Sequence, residues 1–269
     1  MLRHLFCLSL LQLSSVKPDS TQRFSNRVND YIKYRPGYPA EAVDFLVDRC
    51  NLKPGSVIAD VGSGTGIFSK LLLDRGCTVY SIEPNYPMQQ AAIHQFKNNP
   101  DFIPVNGNAE ATTLPANIAD LIVCAQAFHW FRPDETRSEF KRILKSDNNY
   151  VALIWNNRLT GIDAFAIAYE RLLTQKASDY NEVNHQHLRK DDFESFYKDG
   201  KYTLTKFSNQ QVFAAEGLAG RAFSSSYVPS IDTPSGREFA MLLQRIFDDN
   251  QVNGQVTVYY ETEVYLGKM

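Results

Sequence analysis

Between Val57 and Trp155 the chain alternates two kinds of hydrophobic pattern. Short apolar runs (Val57-Ile58-Ala59, Thr78 to Ile82, Phe102 to Val105, Ile118 to Ala125 and Tyr150 to Trp155) read as buried strands. Stretches with helical spacing separate them. Ile67, Phe68, Leu71 and Leu72 mark one helix face, and Gly76 stands where that helix must stop. Residues 86–97 form the next helix. A third opens at Pro133, with Asp134 and Glu135 in its first turn and Lys141, Arg142 and Lys145 in its last, as the helix dipole favours. This alternation predicts parallel βαβ units with right-handed crossovers. Ligands on such sheets bind at the carboxyl ends of the strands, where strand order reverses.

The flanks are different. Residues 21–37 are polar and aromatic, and Pro36 and Pro39 forbid a continuous helix, so a kinked lead-in segment is expected. From Ala40 a helix follows, with Ala42, Val43, Leu46, Val47 and Cys50 as its apolar stripe. Residues 156–230 break the earlier rhythm: a helix carrying Phe165, Ala168, Tyr169, Leu172 and Leu173, a polar stretch from Asn181 to Lys190, then an alternating strand from Tyr202 to Val212. Pro234 opens a helix with Phe239, Leu242, Leu243, Ile246 and Phe247 on one face, and a period-two strand over residues 255–266 ends the pattern.

Composition narrows the partners. The 269 residues, 43% hydrophobic and 22% charged, can bury a sizeable core, and a net charge of −2 with no dense Lys/Arg cluster gives no footprint for nucleic acid. Cys7, Cys50, Cys77 and Cys124 are far apart and there is no Asn-x-Ser/Thr site, which fits a reducing, cytoplasmic setting. Residues 1–20 have a basic start and a short apolar run. That run is too short to span a bilayer, and Ser14-Ser15-Val16-Lys17 is a poor cleavage site, so they are read as a leader segment with no membrane role.

The chemistry concentrates at Asp60-Val61-Gly62-Ser63-Gly64-Thr65-Gly66, between a strand and a helix. Glycines at alternate positions let a ligand approach the backbone, and the following helix points its free N–H groups at that ligand. A dinucleotide loop, G-x-G-x-x-G, needs its third glycine where Ile67 stands. Ile67-Phe68 likewise occupies the place of the Lys-Ser/Thr of a Walker loop.

At this point the sequence resembles the class I S-adenosylmethionine-dependent methyltransferases, whose first motif is D/E-x-G-x-G-x-G. Glu83 at the end of the second strand, Gly107-Asn108-Ala109-Glu110 after the third and Ala125-Gln126-Ala127-Phe128-His129-Trp130 after the fourth continue the likeness in order. The last string and Tyr34-Arg35-Pro36-Gly37-Tyr38-Pro39 are similar to the trans-aconitate-type, or type 11, small-molecule branch. The resemblance implies an α/β fold: a Rossmann-like, doubly wound, mostly parallel sheet of seven strands, the last antiparallel. It implies one methyltransferase domain over residues 21–269, with 156–230 as a helical lid insertion.

The resemblance also implies S-adenosylmethionine as cofactor. Asp60, Gly62, Ser63, Gly64 and Gly66 would lie under its methionine half, with Asn108, Ala109, Glu110 and Gln126 closing the other side. Glu83, followed by Pro84, can accept both ribose hydroxyls. Met88 can pack on the adenine, or serve as plain core.

Tyr34, Phe128, His129 and Trp130 are aromatic faces suited to a sulfonium. His129 is also a candidate base for an acceptor hydroxyl, its alternative being a packing role. A carboxylate acceptor needs no base, and Arg35 and Arg158 are then candidates for gripping acidic groups. His185-x-His187 lacks further ligands in spacing, so no metal is expected. The partner expected is a small-molecule methyl acceptor, with O- or carboxylate methylation favoured and the chain a monomer or weak homodimer. The competing readings are a catalytically idle cofactor binder and a nicotinamide-dependent oxidoreductase, the latter opposed by the glycine spacing.

Overall fold

The computed structural model describes residues 28–177, 180 and 188–269. A short helix α1 (Val28–Tyr34) ends before Pro36, and α2 (Ala40–Arg49) starts after Pro39, as the two prolines require. Then β1 (Val57–Val61), α3 (Ile67–Leu73), β2 (Thr78–Ile82), α4 (Tyr86–Phe96), β3 (Phe102–Val105), β4 (Leu121–Ala125), α5 (Pro133–Ile143) and β5 (Tyr150–Arg158) alternate as the apolar runs predict. Beyond them come α6 (Ala164–Lys176), α7 (Lys190–Phe196), β6 (Tyr202–Phe213), α8 (Ala215–Phe223), α9 (Pro234–Asn250) and β7 (Val256–Lys268).

The seven strands form one sheet in the order β3-β2-β1-β4-β5-β7-β6. The pairs among β1 to β5 are parallel, and β7 runs antiparallel to both neighbours. Strand order reverses between β1 and β4, which puts the topological switch point beside the glycine loop. Along β4, Leu121 and Val123 join the core on one face while Ile122 and Cys124 join that on the other. Burial on both faces is why these strands read as continuous apolar runs rather than alternating ones.

The structure adjusts several boundaries. The strand expected from Ile118 begins at Leu121, because the Ile118 and Ala119 amides donate to the Ile143 carbonyl at 2.8 and 2.9 Å instead of joining the ladder. β5 runs on to Arg158 rather than stopping at Trp155, since β7 pairs with it as far as Arg158 opposite Tyr260. Residues 156–230 supply the edge strand β6 as well as helices. Helices α7 and α8 were not expected. Residues 1–27 and the His185/His187 pair lie outside the described residues. Among the described residues no helix is long and apolar enough to cross a membrane, and no cluster of His, Cys, Asp or Glu could hold a metal.

A polar junction ties the lead-in segment to the far side of the sheet. Asn156, near the end of β5, donates its amide to the Gly37 carbonyl at 3.0 Å, and its Oδ1 accepts from Thr262 of β7 and from Asn209 of β6. Asn209 also donates to the Gly37 carbonyl, at 2.9 Å.

Candidate functional site

The glycine loop is held by β2. The amides of Gly62 and Ser63 donate to the Ile82 carbonyl at 2.9 and 3.1 Å, and Gly64 N–H donates to Glu83 Oε2 at 2.8 Å. Gly62, Gly64 and Gly66 all have positive φ, but space constrains them differently. A Cβ on Gly62 would lie 2.5 Å from the Ala127 methyl, and one on Gly66 2.6 Å from the Phe96 ring. At Gly64 the nearest atom would be Met88 Sδ at 3.8 Å, so this glycine faces open space. Gly66 serves close packing, Gly62 packs closely and lines the cavity, and Gly64 opens onto it.

Glu83 is buried, and its Oε1 accepts from Asn85 N–H at 2.8 Å. Burial raises its pKa, with the Asn85 and Gly64 amides opposing the rise. Asn85 in turn caps α4 by accepting from Met88 N–H at 3.1 Å, which fixes the turn through Pro84.

Asp60, at the end of β1, is fully buried. Its Oδ2 accepts from Ser69 Oγ at 2.6 Å, while Oδ1 has no partner among the described residues. Burial pushes its carboxyl up to about 7, with the Ser69 hydroxyl opposing and the Glu83 charge adding to the rise. A buried carboxylate oxygen without a donor is costly, and Asp60 lines a cavity.

That cavity runs from the glycine loop (Gly62 to Thr65) past Gln126, His129 and Trp130 to Arg35, Asn156, Arg158, Arg221, Tyr227 and Tyr260. Gln126 adopts a left-handed backbone (φ +59°), which turns the chain out of β4 toward the cavity. Trp155 Nε1–H donates to His129 Nδ1 at 3.5 Å.

Several expected residues sit elsewhere. Phe128 is buried in the core, its ring centroid 4.6 Å from that of Phe196, because the 3-10 turn Phe128–Trp130 directs it under the sheet. Tyr34 packs its ring where a Cβ on Gly220 would be, so it joins α1 to α8 instead of lining the cavity. Met88 is buried beside the loop. Asn108 is exposed, and its Oδ1 accepts from the amides of Glu110 and Ala111; Glu110 holds Arg132 N–H, and Ala109 is buried. These three residues lie outside the cavity wall.

Arg221, Tyr260 and Asn156 do line it and were missed in the sequence. The placement of Asn156 and Arg158 near the end of a strand was the one signal available. Arg221 sits on a helix with no clear pattern.

Comparison with known proteins fits this geometry. A family model described as a methyltransferase domain matches residues 59–152. An uncharacterised methyltransferase of Geobacillus is 30% identical over 166 residues, covering 60% of this chain and 76% of the relative. The chain belongs to the class I S-adenosylmethionine-dependent methyltransferases. An uncharacterised methyltransferase-like protein of Schizosaccharomyces pombe is 32% identical over 136 residues, 50% of this chain and 52% of the relative. The chain thus spans about half the length of the first curated relatives it matches. A methyltransferase structure from Anaeromyxobacter dehalogenans shares the fold, with a TM-score of 0.66 at 19% identity over 87% of this chain and 98% of that one. The family match ends at Ala152, inside β5. The methyltransferase domain therefore accounts for the glycine loop and Glu83, while Arg158, Arg221, Tyr227 and Tyr260 lie beyond the matched residues.

Proposed function

We propose that this chain binds S-adenosylmethionine over the glycine loop and transfers its methyl group to an oxygen of a small-molecule acceptor in the adjoining cavity. The observation that carries the reading is the unpartnered Asp60 Oδ1 on the cavity wall, beside a Gly64 that leaves room for a ligand. An ammonium group of the cofactor suits that oxygen, and a bound cation favours the ionised carboxylate that burial disfavours. Glu83, held in place by two backbone amides, keeps further lone pairs on both oxygens for a ribose diol. Asp60 and the glycine loop on the cavity wall fit the cofactor's amino-acid part, while Glu83 lies outside that wall and reaches it through its bond to Gly64.

When bound, the cofactor supplies an electrophilic methyl group on a positively charged sulfur. The chain's part is to hold both reactants in a water-poor pocket, which supplies most of the acceleration in such a transfer. Trp130 offers an aromatic face toward the cavity. His129 accepts at Nδ1 from Trp155, so the neutral ring carries its proton on Nε2. His129 lines the cavity, and an already ionised oxygen acceptor needs no base. Residues 21–269 form one methyltransferase domain in this reading, with the helices of 156–230 and residues 31–38 covering the pocket.

Calorimetric titration with S-adenosylmethionine, S-adenosylhomocysteine and NAD tests the binding step. Micromolar binding of NAD alone would replace the reading with an oxidoreductase. Labelled cofactor incubated with a metabolite extract should yield methylated small molecules. Binding without transfer across broad extracts would leave the idle cofactor binder.

A further inference from the structure

Tyr227 lies on the cavity wall with three arginines, Arg35, Arg158 and Arg221. Arg158 ends β5, opposite Tyr260 on β7. β5 lies two strands from β1 and β7 lies three, so this end stands about 10 to 14 Å to the side of the glycine loop at the usual strand spacing. An acceptor molecule fits between the two.

The three guanidiniums are not equally neutralised. Arg158 is paired with Glu170 of α6, and its guanidinium stacks 4.9 Å over the Tyr169 ring. Arg35 and Arg221 have no carboxylate partner among the described residues. Arg35 donates to the Ser224 carbonyl at 3.1 Å and lies 4.8 Å over the Tyr31 ring. Arg221, which is buried, donates to the Tyr260 hydroxyl at 3.2 Å and to Ser225 Oγ at 3.0 Å. Buried positive charge without a counter-charge favours the ionised form of an acid beside it.

The neighbouring hydroxyls differ in where their protons go. Tyr180 donates to Glu170 and Tyr260 to Gln211, each at 2.9 Å. Tyr227, its ring edge-on to that of Tyr180 at 5.0 Å, is met by donors instead. Burial pushes its phenol up, yet Arg221, Arg35, a Ser225 hydrogen bond and Arg158 together hold it below its ordinary value. Ser225 is itself held by Arg221, so the guanidinium reaches the phenol both through space and through that hydroxyl. The other groups that could take a proton are engaged. His129 accepts from Trp155 at Nδ1, and Asp60 is the oxygen offered to the cofactor's ammonium group.

We propose that Tyr227 is the base of the transfer, its phenolate oxygen taking the proton of an aromatic hydroxyl on the methyl acceptor. This rests on the methyltransferase reading of the site and names the acceptor atom. The acceptor O–H bond breaks and its proton passes to the Tyr227 oxygen. The oxygen pair so freed bonds the methyl carbon, and the carbon–sulfur pair stays on sulfur, giving S-adenosylhomocysteine. One negative and one positive charge vanish together, and Tyr227 returns its proton to solvent afterwards. An aromatic hydroxyl suits this base because it is about as acidic as a tyrosine itself.

The full chain, with and without saturating S-adenosylhomocysteine, is titrated upward from neutral pH while the ultraviolet absorbance of tyrosinate is followed. One tyrosine should lose its proton below the ordinary value of about 10, and Tyr227→Phe should remove that step alone. Arg221→Gln should move the step upward, whereas Tyr86→Phe, at an exposed tyrosine, should leave it in place. Labelled S-adenosylmethionine with a metabolite extract then reads the transfer. Aromatic methyl ethers should form at a rate that rises with pH through the same step. Tyr227→Phe should lower that rate by about hundredfold or more and keep its affinity for S-adenosylhomocysteine. Should either cavity variant fail to fold, the titration of the unaltered chain and the pH profile of its transfer decide. No step below the ordinary range, a step that survives in Tyr227→Phe, methyl esters as the only products, or an undiminished rate in Tyr227→Phe would each overturn the inference. Failure to bind S-adenosylhomocysteine, or binding without any transfer, refutes the methyltransferase reading instead, and the titration still judges the phenolate.

Discussion

Replacing Asp60 by asparagine should stabilise the empty protein while weakening its hold on the cofactor. The carboxyl is buried and its pKa moves from 3.8 to about 7, chiefly through burial. At 1.36 kcal/mol per unit, that shift corresponds to a penalty of about 4 kcal/mol for ionising it in the folded state. Below about pH 4 both folded and unfolded chains hold the proton, and no penalty exists. As pH rises toward 7 the unfolded chain releases its proton while the folded one keeps it, so folding stability falls; above 7 the loss is constant.

Asparagine cannot ionise, and its carbonyl can still accept from Ser69. Its NH2 takes the place of the orphan oxygen and costs about 1–3 kcal/mol as an unsatisfied donor. The variant should therefore be more stable than the natural protein at pH 8 by about 1–3 kcal/mol and less stable at pH 4. Urea unfolding without cofactor across pH 4 to 8 measures both slopes. Calorimetry at pH 8 should show S-adenosylmethionine binding weakened by about tenfold or more, through loss of a charged partner. Parallel pH slopes for the two proteins would refute the reasoning, because the burial penalty would then not exist.

The glycines should separate fold from function. Gly62→Ala combines a positive φ with a methyl 2.5 Å from Ala127 and should cost about 2–4 kcal/mol in urea unfolding. Gly64→Ala meets only the backbone strain, about 1 kcal/mol, and Gly64→Arg should remain folded by circular dichroism while losing cofactor binding. Glu83→Gln sets an NH2 against one of the amides of Gly64 and Asn85 and removes the charge proposed to meet the ribose. It should lower both stability and S-adenosylmethionine affinity, by about 1–3 kcal/mol each, read by unfolding and calorimetry.

The glycine-loop side of the cavity was legible in the sequence because its parts are local. Gly64 and Glu83, only 19 residues apart, sit at the ends of two adjacent strands whose apolar runs announce themselves. The acceptor side was not. Arg221 rides on α8, whose sequence carries Gly217 and Gly220, residues that read as breakers. Gly220 is there because a Cβ would lie 2.1 Å from the Tyr34 ring, a tertiary demand that no local pattern records. α7 was hidden by its polar surface, with Phe193 and Phe196 as its buried positions. Phe128 looked like a lining aromatic, but the 3-10 turn after β4 decides which of Phe128, His129 and Trp130 faces the cavity. The left-handed backbone of Gln126 that sets this turn could not be read from residue types.

The Asn156 junction gives the two halves of the cavity different histories. The bonds that build the glycine loop close over short stretches of chain, whereas those joining Gly37 to Asn156 and Asn209 span 119 and 172 residues. Short loops close at less entropic cost, so the glycine-loop floor of the cavity can take shape while the arginine-lined wall is still apart. In the finished protein, opening of the lead-in segment releases the Gly37 carbonyl and carries Arg35 with it, leaving Gly64 and Glu83 in place. Hydrogen exchange should then find the amides of Gly62 and Gly64 slower than that of Arg35, whose partner is the Tyr31 carbonyl. The chain would hold its cofactor first and assemble the acceptor's seat around it second.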